Sequence, residues 1–300
     1  MWKGVFTPVI TVFDKEGNLD LEGNEKILNR LVDSKVNGIL VQGSIGEFFT
    51  LTMEEKKRFA SFAIRTINHR IPVFIGTGGT CVDEVIELTR HAEREGADAA
   101  VVIAPYYFKL DEESMYRYYG EVAASVDMPI ILYNFPDRTA VNMEPAFILR
   151  LAKDFPNIVG IKDTVDSINH TRKIIQIVKS ELKDFRVYSG FDEYLLPNLM
   201  AAGDGVIGGL SNIAPEIFVE YCEGFRKKNF EQMAGLQKKV NILMNLYDQS
   251  QPFIPAVKEA VNLVVPGGIS SVSRKPAGGL SKEQIERIRN ILMQAGLLNG

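Results

Sequence analysis

The chain of 300 residues is 46% hydrophobic and 24% charged, which is typical of one large or two ordinary globular domains. Its formal charge of −4 comes without a clustered basic stripe, so we expect neither a nucleic acid nor an anionic membrane as a partner. Cys81 and Cys222 lie far apart without CxxC spacing, and no segment has the form of a signal peptide or membrane span, so we expect a cytoplasmic protein.

Short apolar, β-branched runs recur along the chain, and each is followed by a segment with helical spacing. The helical segments at 52–69, 81–96 and 166–182 carry Thr, Asp or Ser near their starts, where such residues cap helices. Gly96 and Gly203 stand where C-caps are expected. The runs are hydrophobic throughout, which is typical of a parallel sheet covered by helices. They are VFTPVI (5–10), GILVQG (38–43), PVFIGTG (72–78), AAVVIAP (99–105), PIILYN (129–134), IVGIKD (158–163), RVYSG (186–190) and GVIGG (205–209).

Eight such units predict an α/β fold, a (β/α)8 TIM barrel over residues 1–225. The mostly helical sequence of 226–300 predicts a C-terminal helical extension packed on the barrel, with a Gly-, Ser- and Pro-rich loop at 265–279. A doubly wound open sheet is the alternative, but GTGGT at 76–80 lacks the G-x-G-x-x-G spacing of a dinucleotide-binding fold.

The sixth run ends on a lysine, Lys162, followed at once by Asp163. Functional groups of a barrel project from the carboxyl ends of its strands. Loss of water disfavours the charged form of a lysine, and a neutral amine can attack a carbonyl carbon to form a Schiff base. The alternative is that Lys162 pairs with a carboxylate or extends to solvent. Because neighbouring strand residues point to opposite faces, Lys162 and Asp163 should not face each other.

Two further strand ends supply groups to the same rim of the predicted barrel. Tyr133 lies near the end of the fifth run, where its phenol can transfer protons to and from a substrate hydroxyl; alternatively, its ring packs in the core. Ser44 follows the second run, where its hydroxyl and nearby backbone N–H groups can bind a carboxylate; alternatively, this is an ordinary glycine-rich turn. Only in combination do these features indicate a catalytic site.

Four motifs, in this order and spacing, resemble those of the class I pyruvate aldolases. This is the superfamily of dihydrodipicolinate synthase and N-acetylneuraminate lyase, and the likeness covers essentially the whole chain. Further segments, among them LYNFPDRT and IKDTVDS, are most similar to its 2-keto-3-deoxygluconate aldolase branch. The four motifs are GSIGE (43–47), PYY (105–107), YNFP (133–136) and GIKDT (160–164).

The resemblance implies roles for the strand-end residues. Lys162 would form a Schiff base with pyruvate or another 2-keto acid, so that no separate cofactor is needed. Tyr133 would relay protons to and from the oxygen at the scissile bond. Ser44, with the backbone of Gly43 and Ile45, would bind the carboxylate of the keto acid.

The same resemblance implies contributions from elsewhere in the chain. Tyr107 would reach into the site of a neighbouring subunit, which implies a dimer or a homotetramer built as a dimer of dimers. The backbone carbonyl of Ile207 would line the site. No metal is expected, because His69, His91 and His170 all fall in predicted helices without metal-ligand spacing and are interpreted as surface or packing residues.

The substrate is less clearly indicated than the chemistry. The first hypothesis is an aldolase that cleaves or forms 2-keto-3-deoxygluconate or a related sugar acid, in which Glu193 of GFDE would contact sugar hydroxyls. The alternative is a 4-hydroxy-tetrahydrodipicolinate synthase of lysine biosynthesis, in which Arg138 would bind the carboxylate of aspartate semialdehyde. Ile45 speaks against this alternative, because such synthases usually carry a hydroxyl residue there. A third hypothesis is a non-catalytic member that binds keto acids.

Overall fold

Eight parallel strands close into a barrel in the computed structural model, which describes residues 2–299. Each strand pairs with the next in chain order, and β8 pairs with β1 to complete the cylinder. The predicted TIM barrel is therefore confirmed. The strands are β1 (Gly4–Pro8), β2 (Gly38–Val41), β3 (Val73–Gly76), β4 (Ala99–Ile103), β5 (Ile130–Asn134), β6 (Ile158–Asp163), β7 (Arg186–Ser189) and β8 (Gly205–Ile207).

Helices cover the outside of the barrel and continue beyond its last strand. No helix within residues 2–299 has the length and apolarity needed to cross a bilayer. The helices are α1 (Leu21–Asp33), α2 (Met53–Ile67), α3 (Val82–Glu95), α4 (Glu112–Ala124), α5 (Pro136–Thr139), α6 (Pro145–Asp154), α7 (Ile168–Glu181), α8 (Leu195–Met200), α9 (Pro215–Lys227), α10 (Phe230–Met244), α11 (Ile254–Val264) and α12 (Lys282–Gln294).

Aromatic side chains fill the interior of the barrel. The rings of Phe6 and Phe74 stack with centroids 4.6 Å apart, and the ring of Tyr188 meets Phe6 edge-on at 5.4 Å. The strands are buried on both faces because helices cover the outside, which explains why their sequences are apolar throughout. The packed interior supports the strand ends that carry polar groups.

The predicted helix boundaries hold in some places and fail in others. Thr52 caps α2 in a capping box with Glu55, and Gly96 ends α3 with a φ of 89°. The expected cap at Gly203 was wrong, because α8 ends at Met200, its C-cap is Ala201, and Ala202 takes the positive φ of 69°. Within the mostly helical sequence of 226–300, α10 ends at Met244, and a 3₁₀ turn follows at Asn245–Asp248.

A C-terminal helical extension follows the barrel, as predicted. Helix α10 lies against α9, the helix that follows β8, and α11 packs with α12. The predicted division at residue 225 falls within α9, and the boundary stays a prediction. The 3₁₀ turn after α10 lies at the end of the barrel where the strands finish, so the extension helps to form the site.

Candidate active site

A cavity of 380 Å³ opens at the carboxyl ends of the strands, the edge where barrel enzymes hold their functional groups. Both the barrel and the C-terminal region contribute to its walls. The residues predicted from the sequence that line it are Ser44, Ile45, Tyr133, Arg138, Lys162 and Ile207. The C-terminal region adds Met244, Tyr247 and Phe253, among others.

Lys162 is held inside the barrel mouth by its strand. It is 5% exposed, and its register partner on β5 is Tyr133, so both side chains point into the barrel. The Nζ atom lies 4.3 Å from the centroid of the Tyr133 ring, whose face favours a cation. Within residues 2–299, Lys162 forms no salt bridge with an Asp or Glu. The amine is therefore available to a ligand in the cavity.

Asp163, next to Lys162, points to the outer face of the barrel. Its carboxylate accepts hydrogen bonds from Asn134 Nδ2 at 3.0 Å, His170 Nδ1 at 3.0 Å and Thr171 Oγ1 at 2.7 Å. Burial acts to lower the pKa of His170, but the hydrogen bond and negative charge of Asp163 outweigh it, so this pKa is raised. These bonds fix the end of β6 to β5 and α7, and they thereby orient the strand that carries Lys162.

The other two histidines lie away from the cavity. His91 is in α3, with Nε2 2.9 Å from the hydroxyl of Ser61. His69 is exposed and follows α2 rather than lying within it. Among residues 2–299, no group of three or more His, Cys, Asp or Glu side chains is arranged to hold a metal ion.

Ser44 begins a 3₁₀ turn, Ser44–Gly46, directly after β2. Its hydroxyl oxygen lies 3.4 Å from that of Tyr133, so the two hydroxyls face each other across the cavity wall. The carbonyl of Gly46 accepts a 2.6 Å hydrogen bond from Thr11, which anchors the turn to the segment after β1. A methyl group at position 46 would lie 2.9 Å from the carbonyl oxygen of Val9, which explains the glycine here.

Asp192 and Tyr247 line the cavity but were missed from the sequence. The Asp192 carboxylate is buried and accepts hydrogen bonds from the Tyr247 hydroxyl at 2.7 Å and from the Leu210 N–H at 3.1 Å. Burial raises the pKa of Asp192 to about 7. The glycines after β8 make room for this pair: a methyl group on Gly208 would lie 2.2 Å from Asp192 Oδ1, and one on Gly209 would lie 2.6 Å from the Tyr247 hydroxyl.

Three residues predicted for the site do not line the main cavity. Glu193 is half-buried beside it, and burial raises its pKa. Gly43 borders a separate void of 10 Å³ beneath Ser44. Tyr107 is 82% exposed and packs edge-on against Phe108, with ring centroids 4.9 Å apart. Within the single chain, Tyr107 therefore lies outside the cavity.

Arg138 lies at the rim of the cavity on the short helix α5. Its side chain is exposed, and the guanidinium carbon lies 5.2 Å from the centroid of the Phe135 ring. Stacking on an aromatic face leaves the edges of a guanidinium group open to an anion. Ala140 ends this helix with a φ of 56°, a conformation that glycine adopts more easily.

An eight-stranded barrel with a buried lysine at its mouth is the arrangement expected of an enzyme that forms a Schiff base with its substrate. The chain belongs to the dihydrodipicolinate synthetase family, whose model matches residues 1–295.

Relatives within this family carry two kinds of name. YagE of Escherichia coli K12, provisionally named a 2-dehydro-3-deoxy-D-gluconate aldolase, is 38% identical over 297 residues, 99% of this chain and 98% of that protein. Its crystal structure in complex with pyruvate has a TM-score of 0.97 and covers 99% of this chain and 100% of that chain. A 4-hydroxy-tetrahydrodipicolinate synthase of Thermotoga sp. RQ2 is 36% identical over 299 residues, 99% of this chain and 100% of that protein. The predicted superfamily and branch are therefore confirmed, but the names of the relatives leave two reactions open.

Proposed function

We propose that the chain is a class I aldolase that cleaves 2-keto-3-deoxygluconate or a related 2-keto-3-deoxy sugar acid to pyruvate and an aldehyde. The main support is the pairing of Lys162 with Tyr133 on adjacent strands, which holds an amine without a salt bridge among residues 2–299 at 4.3 Å from the centre of a phenol ring inside the barrel mouth. The similarity to YagE supports the choice of substrate class.

The reaction begins at the amine of Lys162. The neutral amine adds to the C2 carbonyl of the keto acid, and the hydroxyl of the resulting carbinolamine takes up a proton from solvent and leaves as water, which gives a protonated imine. Tyr133 relays the proton of the C4 hydroxyl as the C3–C4 bond breaks: its oxygen accepts that proton while its own phenolic proton passes to water. The electron pair of the broken bond passes into the imine to give an enamine. The aldehyde then leaves. Protonation of the enamine at C3 and addition of water release pyruvate and restore the amine, so the residues of the chain need no separate cofactor for these steps.

The remaining cavity residues would hold the substrate. Ser44, with the backbone of Gly43 and Ile45, binds the carboxylate of the keto acid in this proposal, and the Ile207 carbonyl lines the site. The Asp192 carboxyl and the Tyr247 hydroxyl offer hydrogen-bonding atoms suited to a polyhydroxylated aldehyde. Glu193 would contact sugar hydroxyls only if its side chain turned into the cavity.

Borohydride reduction in the presence of pyruvate tests the imine. We expect one reduced pyruvate per chain, located at Lys162 by peptide mass spectrometry, and none in Lys162→Ala. Lys258 is an internal control, because it is also buried but is paired with Glu47 at 2.8 Å. Wild-type protein that remains unmodified would refute the proposal.

A second candidate function is 4-hydroxy-tetrahydrodipicolinate synthesis from pyruvate and aspartate semialdehyde. The observation that favours it is Arg138, which stacks on Phe135 at the cavity rim and can offer two N–H groups to a carboxylate. A panel of 2-keto-3-deoxy sugar acids and aspartate semialdehyde, assayed for pyruvate release or consumption, separates the two functions. Synthase activity that is unchanged in Arg138→Ala would remove the support for this candidate, whereas saturable pyruvate binding without any turnover would indicate a non-catalytic member.

We further propose that the chain assembles through its exposed aromatic segment as a homotetramer, a dimer of dimers. Tyr107 and Phe108 are 82% and 73% exposed, a large apolar surface that a partner subunit would bury. Mixing Tyr107→Phe subunits with Lys162→Ala subunits tests whether Tyr107 serves the neighbouring site. Recovery of activity in the mixture supports sharing, and no recovery argues against it.

The cytoplasmic location stays a proposal, supported by the free thiols of Cys81 and Cys222.

A further inference from the structure

Glu47 ends the GSIGE motif, and its side chain has no place in the chemistry proposed above. It is fully buried, although its backbone takes the left-handed conformation with a φ of 55°. Its carboxylate accepts hydrogen bonds from Lys258 Nζ at 2.8 Å and from the backbone N–H of Arg274 at 3.0 Å. Both partners belong to the C-terminal region, so one buried carboxylate joins the turn after β2 to α11 and to the loop before α12.

Lys258 is held on several sides. It is fully buried on α11, its ammonium group also donates to the carbonyl of Val272, and it lies 4.6 Å from the centroid of the Phe13 ring. Burial lowers the pKa of Lys258, and the negative charge of Glu47 opposes this effect. Replacing such a buried ion pair by apolar groups is often neutral or stabilising, so stability alone does not account for its presence.

Arg274 also joins the C-terminal region to the residues that follow the Ser44 turn. Its guanidinium group donates to the carbonyl of Thr50 at 3.0 Å and to the Glu55 carboxylate at 2.8 Å. It also donates to the carbonyl of Gly17 at 2.7 Å. The loop before α12 is thereby tied to residues 47, 50 and 55 of the segment 44–55, which contains the Ser44 turn.

Glu47 transmits this anchoring directly to Ser44. The backbone N–H of Glu47 donates to the carbonyl of Ser44 at 3.1 Å, which closes the turn. A shift of the Glu47 side chain would therefore move the backbone on which the Ser44 hydroxyl stands. We propose that Lys258, acting through Glu47, is a positioning residue that sets the affinity of the Ser44 turn for the carboxylate of the keto acid. This inference rests on the carboxylate-binding role proposed for Ser44.

A double variant tests the positioning role. Glu47→Gln with Lys258→Met removes both charges and leaves neither one buried alone. We expect the pyruvate concentration that gives half-maximal borohydride trapping at Lys162 to rise about tenfold or more, because small displacements of a binding group weaken binding strongly. The extent of trapping at saturating pyruvate should stay complete, since the amine itself is untouched.

A buried ion pair at the opposite end of the barrel provides the matched control. Arg186, at the start of β7, pairs with Asp204 at 3.0 Å, and these residues are 6% and 1% exposed. Arg186→Met with Asp204→Asn should lower thermal stability but leave half-maximal trapping unchanged. An equal shift in both double variants, or no shift in a folded Glu47→Gln/Lys258→Met protein, would overturn the inference.

Glu47→Asp keeps the inference testable if the double variant does not fold. It retains the charge but shortens the side chain, so the turn must move or lose its partner, and we expect a smaller rise in the half-maximal pyruvate concentration. A folded Glu47→Asp protein with the wild-type value contradicts the positioning role. Failure of wild-type protein to trap pyruvate at all would instead refute the proposed aldolase function, so the two failures are distinguishable.

Discussion

Asp192→Asn should change how the stability of the protein depends on pH. The native carboxyl has a pKa raised from 3.8 to about 7 by burial, so the folded state binds its proton more tightly than the unfolded state does. Stability contributed by this proton is fully present below pH 3.8 and is lost as the pH rises through 7. Asparagine does not titrate, so the variant escapes that loss.

The size of the effect follows from the shift in pKa. Between pH 5 and the native pKa of about 7, the wild-type protein loses roughly 1.4 kcal/mol per pH unit, or about 3 kcal/mol. The free energy of unfolding of Asp192→Asn should therefore rise relative to wild type by about 3 kcal/mol between pH 5 and pH 8. In a chain of this size that difference corresponds to about 5 °C in Tm.

Thermal unfolding at matched subunit concentration, followed by circular dichroism from pH 5 to pH 8, measures this difference. Asp248→Asn is the control, because Asp248 lines the same cavity but is exposed, and its difference from wild type should stay flat. Tyr247→Phe tests the cause: it removes a hydrogen bond that favours the ionised carboxylate, so the pH dependence should move to higher pH. Tm curves of Asp192→Asn and wild type that run parallel across the whole range would refute the reasoning.

Three further results are expected. Tyr133→Phe should reduce turnover about a hundredfold or more while imine trapping at Lys162 persists, because only the proton transfer is lost; loss of trapping would contradict this separation of roles. Gly208→Ala should lower the free energy of unfolding by about 1–3 kcal/mol, since its methyl group would meet Asp192 Oδ1 at 2.2 Å. The control Gly278→Ala places its methyl group in open space and should leave the free energy of unfolding unchanged. Equal unfolding midpoints of the two variants in urea would contradict this prediction. His170→Gln should destabilise the protein more at pH 5.5 than at pH 8.5, because Asp163 raises the pKa of His170 in the folded state. The stability that the protonated imidazole contributes is present below pH 6.5, its ordinary pKa, and is lost as the pH rises through the raised pKa of the folded state. A decrease in Tm that does not depend on pH would exclude this cause.

The barrel could be predicted because its physical causes lie in short stretches of sequence. Strands covered on both faces must be apolar throughout, and the helices between them carry their own caps, as at Thr52. Alternation along a strand predicted that Lys162 and Asp163 face opposite sides, but not which of them points inward. The structure shows that Lys162 is the inward residue and that Tyr133 is its register partner.

The parts of the site that escaped prediction depend on irregular backbone or on distant segments. Asp192 and Glu193 lie in a 3₁₀ turn, where neither strand nor helix period says which side chain faces the cavity. Glu193 was predicted from the sequence as a substrate contact, whereas in the structure Asp192 lines the cavity and Glu193 does not. Tyr247 reaches the site because the helix before it ends at Met244, and no residue in that stretch marks the end.

The turn at Asn245–Asp248 supplies part of the cavity wall from outside the barrel. Lys162 and its register partner Tyr133 lie on strands, while part of the cavity wall is supplied by a segment that lies outside the eight repeating units. In the proposed reaction, the bond-breaking groups and the residues that contact the aldehyde can therefore diverge separately in evolution. Transplanting residues 226–300 between relatives offers a route to altered aldehyde preference that leaves the strand-borne amine where it is.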